Sequence, residues 1–283
     1  MKTIQNQTFD EERALYAAEG LHVMNCAFDG PADGESALKE GKNLWVDRCF
    51  FNLRYPFWHD TGLEIDRSEM TELCRAALWY TRDAMIRDTK IHGIKALREC
   101  SDIKMSGCQV ISPEFGWFVR GMDMENCDVN SEYFMLRAEG LRFRGVRLEG
   151  KYSFQYIKNS LFDGCRFQTK DAFWHARNVT VRDSVIQGEY LAWYSENLTL
   201  IRCKIIGTQP LCYCRNLRLI DCEMVDTDLA FERSQVEATL TAPIISIKNP
   251  LSGRIQAPAV GEIIRDIPEA HGEIMAAAPC SCA

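Results

Sequence analysis

The sequence predicts an all-β chain wound as a single-stranded parallel β-helix of about 11–12 turns with a 19-residue period. Two observations carry this. First, an eight-residue frame (apolar, any, apolar, two of any, small, any, apolar) recurs down the chain, as in Leu141-x-Phe143-x-x-Val146-x-Leu148 and Leu198-x-Leu200-x-x-Cys203-x-Ile205. The frame alternates in twos with one interruption. It therefore forms no helical stripe and reads as two short strands joined by a bend. Second, from Ile103 to Leu217 the frame returns every 19 residues, the mark of a solenoid that stacks one coil per repeat.

Taken in order, Glu12 to Tyr16 resembles the later third strands, so the first turn is expected to begin near residue 10. The frame opens at Leu21-x-Val23-x-x-Cys26-x-Phe28, followed by a turn cluster from Asp29 to Gly34. Copies then start at Leu44, Leu63, Ala84 and Ile103, with steps of 23, 19, 21 and 19 residues, so the inserts lie in the first third. Val236-x-Ala238 is a candidate twelfth turn. Segment 244–266, with Asn249-Pro250 and Ser252-Gly253, predicts hairpin strands that cap the open end. Residues after about Ile274 read as a loose tail. The expected organisation is a β-helix over 1–243, with a cap and flexible tail over 244–283 in the same domain.

Each repeat also predicts a third strand. Its core column runs Leu38, Phe57, Leu78, Leu97, Gly116, Met135, Phe154, Phe173, Ala192, Leu211. The column just before each frame holds Asn43, Gly62, Asp83, Asp102, Gly121, Gly140, Asn159, Asn178, Asn197 and Asn216, residues that tolerate left-handed backbone. A corner belongs there, and stacked asparagines can bond along the axis.

Thirteen cysteines would suggest disulfides, but seven of them share the small slot of the frame with Ser68, Thr89, Val146 and Ser184. Such a slot asks for a small buried side chain rather than a metal ligand, and no histidine shares it. The pairs Cys212/Cys214 and Cys280/Cys282 are a weak metal or redox signal, and no metal or cofactor is expected. A net charge of −7 without a basic block argues against nucleic acid or an anionic membrane as partner. The N-terminal residues lack an apolar signal core, so the expected location is cytoplasmic.

The left-handed β-helix hexapeptide pattern is absent, which favours the right-handed form. The motifs YPFWH (55–59), RAALWY (75–80), DAFWHARN (171–178) and EYLAWYSENL (189–198) resemble an uncharacterised, mainly bacterial family with a right-handed parallel β-helix of the pectin-lyase-like superfamily. That resemblance implies a fold and no activity. The runs known from pectate-lyase-like and polygalacturonase-like enzymes are not matched: His92-Gly93 stands alone in a turn slot, and Asp226-x-Asp228 stands alone.

The column after the core column carries the functional expectation. Five of the six tryptophans sit in it: Trp58, Trp79, Trp117, Trp174 and Trp193, with Arg98 interleaved. In a regular strand this column points away from the core. From Trp58 to Trp193 it would run roughly 34 Å by strand spacing, a ladder suited to the C–H faces of an oligosaccharide or sugar derivative. The next column adds His59, Tyr80, Glu99, Arg137, Tyr156, His175 and Tyr194. Ligand contacts are expected from Trp58, Trp79, Arg98, Trp117, Tyr156, Trp174, Trp193 and Tyr194. Acid/base roles would fall to Glu99, His59, His175 and Arg137. Whether the chain is an enzyme is left open. The alternative is a non-enzymatic structural or interaction protein whose aromatic columns pack against loops, a partner or a second copy.

Overall fold

The structure, a computed structural model, describes residues 1–32 and 34–276; Asp33 and the pair Cys280/Cys282 lie outside the described residues. The chain forms two compact units, one from Met1 to Arg147 and one from Leu148 onward. Among the described residues every regular element is a strand, and none is a helix.

In the first unit the first half of each frame forms a strand that pairs in parallel with its copy in the next coil. Lys42–Asp47 pairs with Thr61–Asp66, and Ser101–Ser106 with Arg120–Glu125. The register sets like on like: Leu44 lies against Leu63, Val46 against Ile65, Met105 against Met124. Short second strands such as Lys90–His92 and Gln109–Ile111 pair the same way. The second unit repeats this with Arg177–Arg182 against Glu196–Ile201 and Val185–Gln187 against Lys204–Ile206. Frame residues point inward, and Phe143, Phe162, Phe167 and Phe173 are fully buried.

From Gly20 to Asp221, two corners of each coil hold left-handed backbone. One is the predicted Asn/Asp/Gly column, from Asn43 (φ 50°) and Asp102 (φ 57°) to Asn216 (φ 49°). The other precedes the small slot, as at Asn25, Gly107, Asp183 and Arg202. That second bend explains the slot. It brings the slot side chain back onto the carbonyl two residues earlier: Ser68 Oγ donates to Asp66 O (2.8 Å), Ser184 Oγ to Arg182 O (2.6 Å) and Cys108 Sγ to Ser106 O (3.3 Å). A small buried donor is what Ser, Thr and Cys have in common. The slot thiols are free, and burial pushes the Cys49 thiol up to about 12. No group of His, Cys, Asp and Glu among the described residues is arranged to hold a metal.

The structure corrects the sequence reading in three places. The first coil begins at Lys2, not near residue 10: Lys2–Gln5 pairs with Leu21–Met24, with Ile4 against Val23. Its frame reads Lys2-x-Ile4-x-x-Gln7-x-Phe9, disguised because a half-exposed end coil tolerates Lys and Gln where inner coils need apolar and small residues. At the other end there are no hairpins among the described residues. Gln235–Leu240, the expected twelfth turn, pairs in parallel with Ser252–Ala257, and Ile244–Lys248 pairs in parallel with Val260–Ile264. Glu273–Ala276 adds a further parallel strand where a loose tail was expected. The period shortens here, with Val236 facing Gly253, and glycine fills an apolar frame position, so the pattern fades from the sequence while the coil continues. The third correction concerns the third side of the coil, which carries the candidate site.

Candidate functional site

Across the coils that carry the aromatic columns, the described third-side strands are Leu78–Trp79 and Leu97–Arg98, each two residues long. Longer third-side strands come later, where Ile244–Lys248 follows on from Ala230 and pairs with Val260–Ile264. Elsewhere the chain alternates left- and right-handed residues. In the first unit Tyr55 (φ 60°) and His59 (φ 62°) bracket the core residue Phe57. In the second, Tyr152, Phe154 and Tyr156 are all left-handed, as are Asp171, Phe173 and His175. Each such non-glycine residue costs roughly 1–2 kcal/mol. The coil recovers this through coil-to-coil bonds: His59 N donates to Trp79 O (2.9 Å), Glu99 N to Trp117 O (2.8 Å) and His175 N to Trp193 O (2.9 Å). Because the side is not extended, its columns do not alternate strictly in and out. The tryptophans are half-buried, and the column after them is half-buried to exposed.

The tryptophans are tied down on two counts. Every indole N–H of the column donates to a backbone carbonyl at the start of the next coil's third side: Trp58 to Ala76 O (2.5 Å), Trp79 to Lys95 O (2.7 Å), Trp117 to Tyr133 O (2.7 Å), Trp174 to Tyr190 O (2.7 Å) and Trp193 to Gln209 O (2.8 Å). Gln155, which stands in the same column, makes the same bond to Asp171 O (3.3 Å). The ring faces are also occupied. In the first unit Trp58 stacks on Trp79 with centroids 5.1 Å apart and planes 2° from parallel. Lys39 lies over Trp58 at 5.7 Å, and Arg98 lies over both Trp79 (5.2 Å) and Trp117 (5.4 Å). In the second unit Trp174 stacks on Trp193 (5.4 Å, 1°), and Tyr190 and Tyr213 set their edges against Trp193.

The neighbouring column behaves alike. His59 stacks on Tyr80 at 4.7 Å in the first unit. In the second, Tyr156, His175, Tyr194 and Tyr213 form one continuous stack at 4.7, 5.0 and 4.8 Å. Its edges face solvent, with Tyr156 and Tyr194 41% and 47% exposed. His175 is held below the ordinary histidine range, first by burial and then by the charge of Arg177.

Of the four expected acid/base residues, Glu99, His59 and Arg137 belong to the first unit and His175 to the second. Glu99 pairs with its neighbour Arg98 (3.3 Å), and His59 lies two coils from Glu99, about 10 Å by coil spacing. Arg137 is exposed on a left-handed corner (φ 55°). His92-Gly93 is a turn: Gly93 has φ 147°, and a Cβ there would meet Cys74 O at 2.8 Å. A residue the site reading passed over is Asp60, a fully buried carboxylic acid at a core-facing corner. Its signal was available, since the same column holds Gly41, Thr81, Cys100 and Ala138.

With this geometry in hand, the family profile described as "Protein of unknown function (DUF3737)" matches residues 2–275. The chain belongs to the DUF3737 family. The resemblance drawn from the tryptophan motifs is to this same kind of family, and membership brings no activity with it. No curated protein matches the chain. Among solved structures it is similar to PfbA, a surface adhesin of Streptococcus pneumoniae (12% identity, 79% of this chain and 72% of that one, TM-score 0.31). It is also similar to the A-module of the Azotobacter vinelandii mannuronan C-5 epimerase AlgE4 (10% identity, 99% and 89%, TM-score 0.29). Neither likeness, at these scores, bears on what this chain binds.

Proposed function

We propose that this protein is a non-enzymatic β-helix scaffold that holds a protein partner against the exposed aromatic edges of its third side. The observation that carries this reading is the state of the tryptophan column: each ring has a neighbouring indole or a cation on at least one face, Trp58 and Trp79 on both, and every N–H of the column is bonded to backbone. A sugar ring stacks on an open indole face, and Trp58 and Trp79 have none to offer. The edges of the stack of three tyrosines and His175 in the second unit remain outside, a rigid ridge that needs little further ordering on contact. Glu99 and His59, expected as acid and base, are each engaged elsewhere, so an acid/base pair has no support from their positions.

The test has two arms. A thermal-shift screen against neutral, acidic and amino-sugar oligosaccharides is expected to give no saturable shift; a ligand at about 100 times its dissociation constant would stabilise by roughly 2.7 kcal/mol and be seen. A photo-crosslinking residue at Tyr194, introduced in the native host, is expected to capture one discrete protein, or a second copy of this chain. A saturable oligosaccharide shift that is lost on Tyr194→Ser, with no crosslinked protein, overturns the proposal in favour of a glycan-binding face.

A further inference from the structure

Asp60 occupies the inward corner that follows the third side of its coil. The same register position is apolar or glycine at Gly41, Val119, Ala138, Ile157 and Ala176. Where it is polar it holds Thr81 and Cys100 in the first unit and Ser195, Cys214 and Ser234 in the second. Each of these has a proton to give and gives it to the carbonyl of the core-column residue one coil back. Thr81 Oγ1 donates to Phe57 O (2.6 Å) and Cys100 Sγ to Leu78 O (2.9 Å). Likewise Ser195 Oγ donates to Phe173 O (2.8 Å), Cys214 Sγ to Ala192 O (3.1 Å) and Ser234 Oγ to Leu211 O (2.7 Å). For Asp60 the equivalent carbonyl is that of Leu38. Asp60 Oδ1 accepts the Gly41 N–H (2.9 Å), while Oδ2, fully buried, has no partner as long as the group is a carboxylate.

The geometry points to Asp60 as a neutral carboxylic acid whose Oδ2–H donates to Leu38 O, a proton-dependent fastener between the coil at 36–42 and the coil at 54–60. One proton completes the pattern that hydroxyls and thiols complete elsewhere, and its loss sets a buried anion against a carbonyl oxygen. Burial, and after it the charge of Glu40, pushes the carboxyl up to about 8, against the pull of the Gly41 and Glu40 amides. The charged and titratable groups around it are Lys39, Glu40 and Lys42 on the preceding coil, His59 on its own, and Tyr80 and Arg82 on the following one.

Because the folded value lies above that of the unfolded chain, near 4, the stabilisation is complete below about pH 4 and is lost as pH rises through about 8. The loosened coil carries Lys39, which caps Trp58, so indole fluorescence follows the change.

The test compares wild type with Asp60→Asn, whose amide can give and accept the same two bonds without titrating. The wild-type folding constant relative to Asp60→Asn is expected to fall by up to about tenfold per pH unit between pH 5 and 8 and then to level off. Wild-type protein titrated from pH 6.5 to 9.5 should show a protonated-carboxyl infrared band that disappears near pH 8 and is absent from Asp60→Ser, a variant that keeps the hydroxyl used at this corner by Ser195. Equal pH slopes in wild type and Asp60→Asn overturn the proposal. So does the absence of a protonated-carboxyl band in wild type above pH 6.5, which needs no variant to fold.

Discussion

The two units solve the same stacking problem with different chemistry. In the second, where the period is strict from Ser160 to Val236, like bonds to like. Asn178 donates to Asn159 (3.0 Å), Asn197 to Asn178 (2.8 Å) and Asn216 to Asn197 (2.7 Å), an unbroken amide ladder, and four rings from Tyr156 to Tyr213 stack continuously. In the first, where steps of 23 and 21 residues interrupt the period, unlike groups meet. From Lys39 to Trp117 a cation, a stacked pair of indoles, a second cation and a third indole follow one another. The indole of Trp45, the one tryptophan outside the column, donates to Asp66 (2.9 Å), which also takes Arg87. The corner column shows the same contrast, since the first unit mixes Asn, Gly and Asp where the second has asparagine at four successive coils. A homopolymeric ladder needs equal spacing; where spacing varies, specific heterotypic contacts take its place.

The largest effect comes from the packed core of the second unit. Phe173, buried against Phe154, Phe162 and Phe167, should cost on the order of 3–5 kcal/mol when changed to Ala, read as a lower urea midpoint with unchanged slope. The amide ladder sharpens the comparison. Asn197→Gly keeps the left-handed backbone but loses two bonds, and about 1–2 kcal/mol is expected. Asp102→Gly in the first unit, at the equivalent corner, should change stability by a few tenths of a kcal/mol or less. Equal costs at the two corners would break the distinction. Below the amide ladder comes the cation in the first unit's stack: Arg98→Met keeps the stem and removes the charge, and should lower stability by about 0.5–1 kcal/mol.

Much of this was legible in the sequence because the repeat turns positions into columns. The parallel coil, the small slot and the left-handed corner at Asn159 to Asn216 follow from residue types with one physical reason each. The end coils were hidden because their exposure relaxes the frame, as with Lys2, Gln7 and Gly253. The third side was misread as strand because tyrosine, phenylalanine and histidine give no sign that their φ is positive; their left-handed backbone is imposed by the coil's closure. The anchoring of each indole was also out of reach, since its partner is a backbone carbonyl that bears no side-chain signature. Gln155 was the clue, a side-chain N–H donor in the tryptophan column.

That clue supplies the most direct test of the central claim, that the tryptophan column is scaffold. Unfolding free energies of Trp174→Ala and Trp174→Gln should be measured beside wild type. If the column holds the coils together, Ala loses stacking and the N–H bond and costs about 2–3 kcal/mol, while Gln restores the bond to Tyr190 O and recovers about 1 kcal/mol of it. If both variants fold with wild-type stability, the column is not structural, and its rings are there to meet a ligand.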